Sequence, residues 1–124
     1  MARGQHVQVK GLQKLQKRAD RLVKEVRVAA ERAVSEEAEE VRDEMSRRVP
    51  VDEGDLRDSI RADVDKRSLA AEVGPRGRDR YYGYFVEFGT KNMSAQPFAG
   101  PAGELARRSF PDRLKRHLRK ALPK

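Results

Sequence analysis

VPVDEGDLRDSIRADVDKRSLAAEVGP, residues 49–75, is where the chain changes its apolar period from helical to alternating. Pro50 cannot continue a helix, so whatever precedes it ends there. The spacing that follows predicts a short helical turn. Asp52 is placed to cap it and Asp55 to reach back from the third helical position, with Gly54 allowing the turn and Leu56 directed at the core. Ile60, Ala62 and Val64 then alternate with Arg61 and Asp63, the pattern of a half-buried strand. A polar turn at Asp65–Ser68 leads to Leu69, Ala71 and Val73 as the paired strand of a hairpin. Gly74-Pro75 and the run Arg76–Arg80 read as an exposed loop. Asp52, Glu53, Asp55 and Asp58 lack the spacing of a calcium loop and have no histidine nearby, so capping explains them better than a metal site.

Upstream, apolar positions recur at Leu12, Leu15, Ala19, Leu22, Val26, Ala29 and Ala33, and after a one-residue shift at Val34, Ala38, Val41 and Met45. Steps of three and four mark one stripe on a long amphipathic helix over 9–48. Such a helix spans on the order of 55 Å, more than a small domain covers along its own length. Its Ala-rich seam requires a partner that approaches closely. The shift at Ala33–Val34 and the weak apolar identity argue against a long coiled coil.

Downstream, YYGYFVEFGT (81–90) fits two periods. Tyr81, Phe85 and Phe88 share a helical face, while Tyr82, Tyr84, Val86 and Phe88 alternate as in a strand. Glu87 lies inside this aromatic block and needs a hydrogen-bond or arginine partner, because an unpaired buried carboxylate is costly. Gly89-Thr90 breaks the element. Gln96-Pro97-Phe98 then leads through Gly100-Pro101 to a C-terminal helix beginning near Leu105, interrupted at Pro111 and carrying Leu114, Leu118 and Leu122. Leu56, Tyr84, Phe88 and Phe98 are the expected anchors of the core, and Asp52, Gly54, Gly89 and Pro97 the cap and turn positions.

At 124 residues the chain is expected to be one domain: the helix over 9–48, an α/β core over 49–104 and a basic helix or tail over 105–124. Hydrophobic residues make up 37% and charged residues 39%, sparse for a compact monomer, which points to burial completed by self-association or a partner. Without cysteine there is no disulfide and no thiolate chemistry. No apolar run approaches the roughly 18 residues of a membrane span and MARGQHVQVK is no signal sequence, so a soluble cytosolic chain is expected.

The net charge of +8 is unevenly spread. Residues 105–124 carry eight basic groups against Asp112 alone, and residues 1–27 eight against Asp20 and Glu25. Residues 28–50 are acidic by three charges and 51–104 by two. Basic ends suit nucleic acid or an acidic partner. They equally suit solvated helix faces, since Phe110 is the single aromatic among the tail charges and no stacking series is interleaved with them. Arg76, Arg78, Arg80, Arg113, Lys115, Arg116, Arg119 and Lys120 are the candidate contacts with DNA or a partner. His6 and His117 sit in the terminal regions away from any nucleophile or carboxylate pair, and Glu87 lacks a second acid or base. No phosphate-cradling glycine loop is present. No enzymatic activity, metal or cofactor is expected.

The ordered motifs resemble those of the minor tail component family of long-tailed bacteriophages, the tail-completion or neck proteins. Val49-Pro50-Val51-Asp52-x-Gly54-x-Leu56-Arg57-x-Ser59-Ile60 is similar to the family's P-V-D-T-G-x-L-R-x-S-I run. Val73-Gly74, Tyr82, Tyr84, Val86-Glu87-Phe88-Gly89-Thr90, Gln96-Pro97-Phe98 and Pro101-Ala102 continue the resemblance to about Leu105. Glu53 stands where the family usually has Thr or Ser, Gly83 where Pro is common and Gly100 where Arg is frequent. The resemblance implies a small α+β structural protein of the virion, with a long N-terminal amphipathic helix, a small antiparallel sheet and a C-terminal helix. It implies a homo-oligomeric ring, commonly a hexamer, between the head connector and the tail tube, with DNA passing through the lumen. The alternative class is a small basic DNA-binding protein of regulatory or architectural role, which would have no use for the middle segment.

Overall fold

A computed structural model describes residues 10–123. The elements run α1 (Lys10–Arg48), α2 (Gly54–Ser59), β1 (Ile60–Asp65), β2 (Ala70–Pro75), α3 (Asp79–Phe88) and α4 (Ala99–Ala121). This is the α+β arrangement expected from the sequence. Val9, His6 and Lys124 lie outside the described residues.

Helix α1 ends before Pro50 as expected, with Arg47 and Arg48 in its last turn both paired to Glu44. Its stripe divides in two. Ala29, Ala33, Ala38 and Met45 are buried, whereas no described residue before Ala29 is. Leu12, Leu15, Leu22, Val23 and Val26 are exposed. The alanines lie where the rest of the chain packs, Leu12, Leu15 and Val23 are the most exposed, and Leu22 lines a groove with Ala121 and Pro123 at the end of α4.

The capping role expected of Asp52 is not realised. The Glu53 N–H closes a turn onto the Pro50 carbonyl (2.9 Å), which starts α2 one residue later, at Gly54. Glu53 becomes the N-cap residue but makes no side-chain capping bond. Its carboxylate instead accepts the Tyr82 hydroxyl at 2.6 Å, tying α3 to the turn. Asp52 is left exposed, and Asp55 has no capping partner to reach back to.

Strands β1 and β2 pair antiparallel, with Ile60 opposite Pro75 and Asp65 opposite Ala70. Gly74 and Pro75 are therefore the end of a strand and not a loop. Leu69 is also displaced from the expected strand, because it takes a positive φ of 56° to close the turn. Residues 81–88 resolve to helix. Gly83 approaches β2 and α2 so closely that a Cβ there would lie 2.8 Å from Pro75 Cγ and 3.3 Å from Leu56 Cδ1. That contact selects the helical period over the alternating one.

Helix α4 begins at Ala99, six residues before Leu105, and passes through Pro111 without interruption. Its start is fixed by Glu87, whose carboxylate accepts the backbone N–H groups of Phe98 (2.9 Å), Ala99 (2.7 Å) and Gly100 (3.0 Å). These are donors that a helix N-terminus leaves unsatisfied, and its dipole favours the negative charge there. Pro111 costs one helical hydrogen bond. The helix is pinned to α1 on either side of it by Glu37, which accepts Ser109 Oγ and Arg113 Nε, each at 2.5 Å. Glu37 is the buried charged residue of the described chain, 7% exposed. Arg113 also pairs with Glu36 (3.0 Å) and Glu40, and His117 Nε2 lies 2.8 Å from Glu36. The core proper is Met45, Val49, Leu56, Ile60, Val86, Phe98 and Ala102, at the C-terminal end of α1.

This junction has a pH signature. Hydrogen bonding from His117 and then from Arg113 outweighs desolvation and holds the Glu36 carboxyl below its ordinary value of 4.5. A depressed folded-state value contributes stability that is present above 4.5 and lost as pH falls through the folded value. Glu36→Gln should therefore lower the melting temperature at pH 7, and the gap to the parent should narrow as pH falls below 4.5. A gap of constant size across that range, followed by calorimetry, would refute the assignment.

Candidate functional site

The family-motif residues fall into a scaffold and a surface. Leu56 and Phe98 are each 1% exposed and are the two largest fully buried side chains. Pro50 is half-buried at the end of α1, and Ser59 Oγ donates to the Leu56 carbonyl (2.7 Å) to close α2. Arg57 is half-buried between these, and its Nε has no hydrogen-bond partner. Gly89 ends α3 with φ 80° and ψ 172°, its N–H bonded to the Phe85 carbonyl. Thr90 then bridges to Met93, and the Gln96 N–H returns to the Val86 carbonyl at 2.8 Å. This backbone loop delivers Pro97, itself exposed, and then Phe98 into the core beneath Glu87. Gly54 is exposed, with open space around it, and Gly74 is buried in β2.

Tyr84 and Phe88, expected as core anchors, are exposed. Glycine and valine face the core instead: Gly83 and Val86 are the buried residues of α3. With Gly83 pressed on Pro75, the aromatic side of the helix is turned to solvent. Tyr81, Tyr84, Phe85 and Phe88 are 77%, 62%, 46% and 65% exposed. The Tyr84 ring lies 4.7 Å from Phe88 and 6.4 Å, edge-on, from Phe85.

The candidate contact cations also separate. Arg113 is not free to bind DNA or a partner, since Glu36, Glu37 and Glu40 take its guanidinium. Arg76 is likewise committed, to Asp63 at 2.7 Å and to the Glu72 carbonyl. Arg78, Arg80, Lys115, Arg116, Arg119 and Lys120 are exposed. Lys115, Arg116, Arg119 and Lys120 lie along one side of α4, at steps that return to the same face. The acidic partners of α4 escaped the sequence reading, although the acidic balance of residues 28–50 against the basic tail was a usable signal for them. Among the described residues no group of three or more His, Asp or Glu side chains is placed to hold a metal ion. No helix among them is long and apolar enough to cross a membrane.

The described residues thus form a framework whose polar side chains tie α1 to α4 and α3 to the turn before α2, with aromatic side chains of α3 left exposed. The family model described as "Bacteriophage HK97-gp10, putative tail-component" matches residues 13–89, from the first turns of α1 to the C-cap of α3, and the chain belongs to that family. It is thus a structural component of a phage tail, and of the virion. The match takes in α1, whose sequence looks ordinary, and stops short of the Gln96–Ala102 motif. No curated protein and no solved structure gives a significant match.

Proposed function

We propose that this chain is a tail-completion or neck subunit that assembles as one domain into a ring, six copies in the form the resemblance implies. The ring joins the tail tube to the head connector, and DNA passes through its lumen. One observation carries the reading beyond the family: large apolar side chains are exposed at both ends of the molecule, on the N-terminal half of α1 and on α3, more than a free monomer has reason to present. In this reading the motif residues Pro50, Leu56, Gly89, Glu87 and Phe98 shape the subunit and have no chemical role. The exposed cations of α4 meet DNA phosphates or an acidic neighbouring ring, without reading sequence.

The test is a phage lacking this chain. It should accumulate DNA-filled heads and unjoined tails, and added purified protein should restore joined particles. Normal joined particles in its absence would end the proposal. A second reading, a small basic DNA-binding protein, draws on the outward side of α4. It predicts a monomer that shifts DNA at physiological salt and leaves particle assembly unaffected.

A further inference from the structure

The cations of α1 gather on a side of the helix that its leucines do not share. At about 100° per residue, Lys14, Lys17, Arg18, Arg21, Lys24 and Arg32 fall within about one third of the circumference, and Leu15, Leu22 and Val26 fall outside it. All six cations are exposed, along about 27 Å of helix. Asp20 borders the sector and Glu25 lies within it. Among the described residues, neither acid nor any of the six cations enters an ion pair. Glu31 is drawn instead to Arg27, at 3.5 Å. Like charges three or four residues apart, such as Lys17 with Arg21 and Arg21 with Lys24, repel and oppose the helix. A merely solvated face intersperses its signs. This one concentrates a single sign, against its own stability.

Helix α4 completes the surface. A groove of about 410 Å³ between the two helices is lined by Lys24, Val28 and Arg32 from α1 and by His117 and Lys120 from α4, with Glu25 as the carboxylate in its lining. Val28 interrupts the row on α1 there, and Lys120 brings a charge in from the other side. Arg116 follows one turn back along α4.

The row suits one kind of partner. Centres of protein interfaces are poor in lysine and rich in aromatic residues, whereas this surface holds Lys14, Lys17, Lys24 and Lys120 and no aromatic ring. Single-stranded nucleic acid would call for aromatic platforms under its bases. A duplex backbone needs none: it presents a phosphate charge about every 1.7 Å of its axis and is held by lysine and arginine. We infer that the sector of α1 from Lys14 to Arg32, with Arg116 and Lys120 of α4 across the groove, binds the phosphate backbone of duplex nucleic acid without regard to sequence. This moves most of the contact from α4, where the neck reading put it, to α1. It also chooses DNA over an acidic neighbour, and it holds whether or not a ring forms.

The test is fluorescence anisotropy of a labelled duplex of about 30 base pairs, titrated with the full chain from about 50 to 200 mM salt. Affinity should fall steeply with salt and be the same for two unrelated sequences. The triple variant Arg21→Gln, Lys24→Gln, Arg32→Gln should weaken binding at least about tenfold at about 100 mM salt, and lower the slope of log K against log salt by about 2–3. Its positions are exposed, and removing like-charged neighbours favours the helix. The triple variant Arg78→Gln, Arg80→Gln, Lys91→Gln removes the same charge from exposed positions around α3 and should change both quantities far less. Equal losses in the two would mean attraction to net charge alone and overturn the site. An unchanged slope in the first would overturn it too. So would a parent that ignores the duplex at about 50 mM salt, and its binding to poly-glutamate instead would assign the row to an acidic protein. Head–tail joining is tested separately in the phage, so failure of either leaves the other to stand on its own result.

Discussion

Phe98→Ala should lower the unfolding free energy by about 3–5 kcal/mol, the usual cost of deleting a buried aromatic ring. The site gives no reason for a smaller loss. Phe98 is 1% exposed, and its neighbours Met45, Leu56, Ile60 and Val86 come from four different elements that cannot all move in to fill the space. Among the described residues this cluster has seven buried members, with Val41, Val73, Met93 and Ala99 packed against it, so one ring is a large share of what holds α1, α2, the hairpin and α3 together. Against a typical total of about 5–15 kcal/mol, the variant should be marginally folded at 37 °C. The Phe98 backbone N–H still reaches Glu87 in the variant, so the loss isolates packing from capping. Phe98→Leu, which keeps most of the volume, should cost less than about 1.5 kcal/mol. Urea unfolding followed by far-ultraviolet circular dichroism measures both. A Phe98→Ala midpoint indistinguishable from the parent would show that the core does not depend on this ring.

The long helix, the hairpin and the terminal helix were legible because each rests on a local period: steps of three and four in α1, alternation at Ile60, Ala62 and Val64, and the stop at Pro50. What escaped depends on contacts distant in sequence. Asp52 has the chemistry of a cap, but the turn between Pro50 and Glu53 decides where α2 starts. Pro111 is a helix breaker in isolation, yet Ser109 and Arg113 are held to Glu37, 72 and 76 residues away. Position 105 looked like a helix start because nothing local shows that Glu87 supplies the N-terminal acceptor at residues 98–100.

The aromatic block of α3 was misjudged for a different reason. Large aromatic residues are inside more often than not, so Tyr84 and Phe88 read as anchors. The decisive residue is the smallest one. Gly83 permits contact with Pro75, and whichever face holds the glycine must face the sheet. A helix that buries glycine and valine while exposing five aromatics breaks the ordinary inside-outside rule. Such breaks between levels mark functional surfaces more often than packing errors.

Gly89→Ala should be nearly as damaging as the loss of the Phe98 ring, although it adds only a methyl group. Gly89 combines φ 80° with ψ 172°, a region that is essentially closed to residues with a Cβ and costs them of order 1–3 kcal/mol. The added carbon would also lie 2.8 Å from the Ala95 nitrogen and 2.9 Å from the Met93 carbonyl oxygen. Both are backbone atoms of the Thr90–Met93 bridge and the strand-like return to Val86, so neither can swing aside as a side chain would. Overpacking of this kind adds about 1–3 kcal/mol. Relief requires the 90–96 segment to shift, and that segment sets where Phe98 enters the core and where Glu87 meets α4. The expected result is a loss of about 2–5 kcal/mol in equilibrium unfolding, with faster amide exchange concentrated at Gln96 and at Phe98–Gly100. Gly54→Ala, at a position with a non-positive φ and open space, serves as the control and should change stability by less than about 1 kcal/mol. Equal effects of the two substitutions would mean that glycine at 89 is not required by its backbone geometry, and that the aligned delivery of Phe98 and Glu87 is fixed elsewhere.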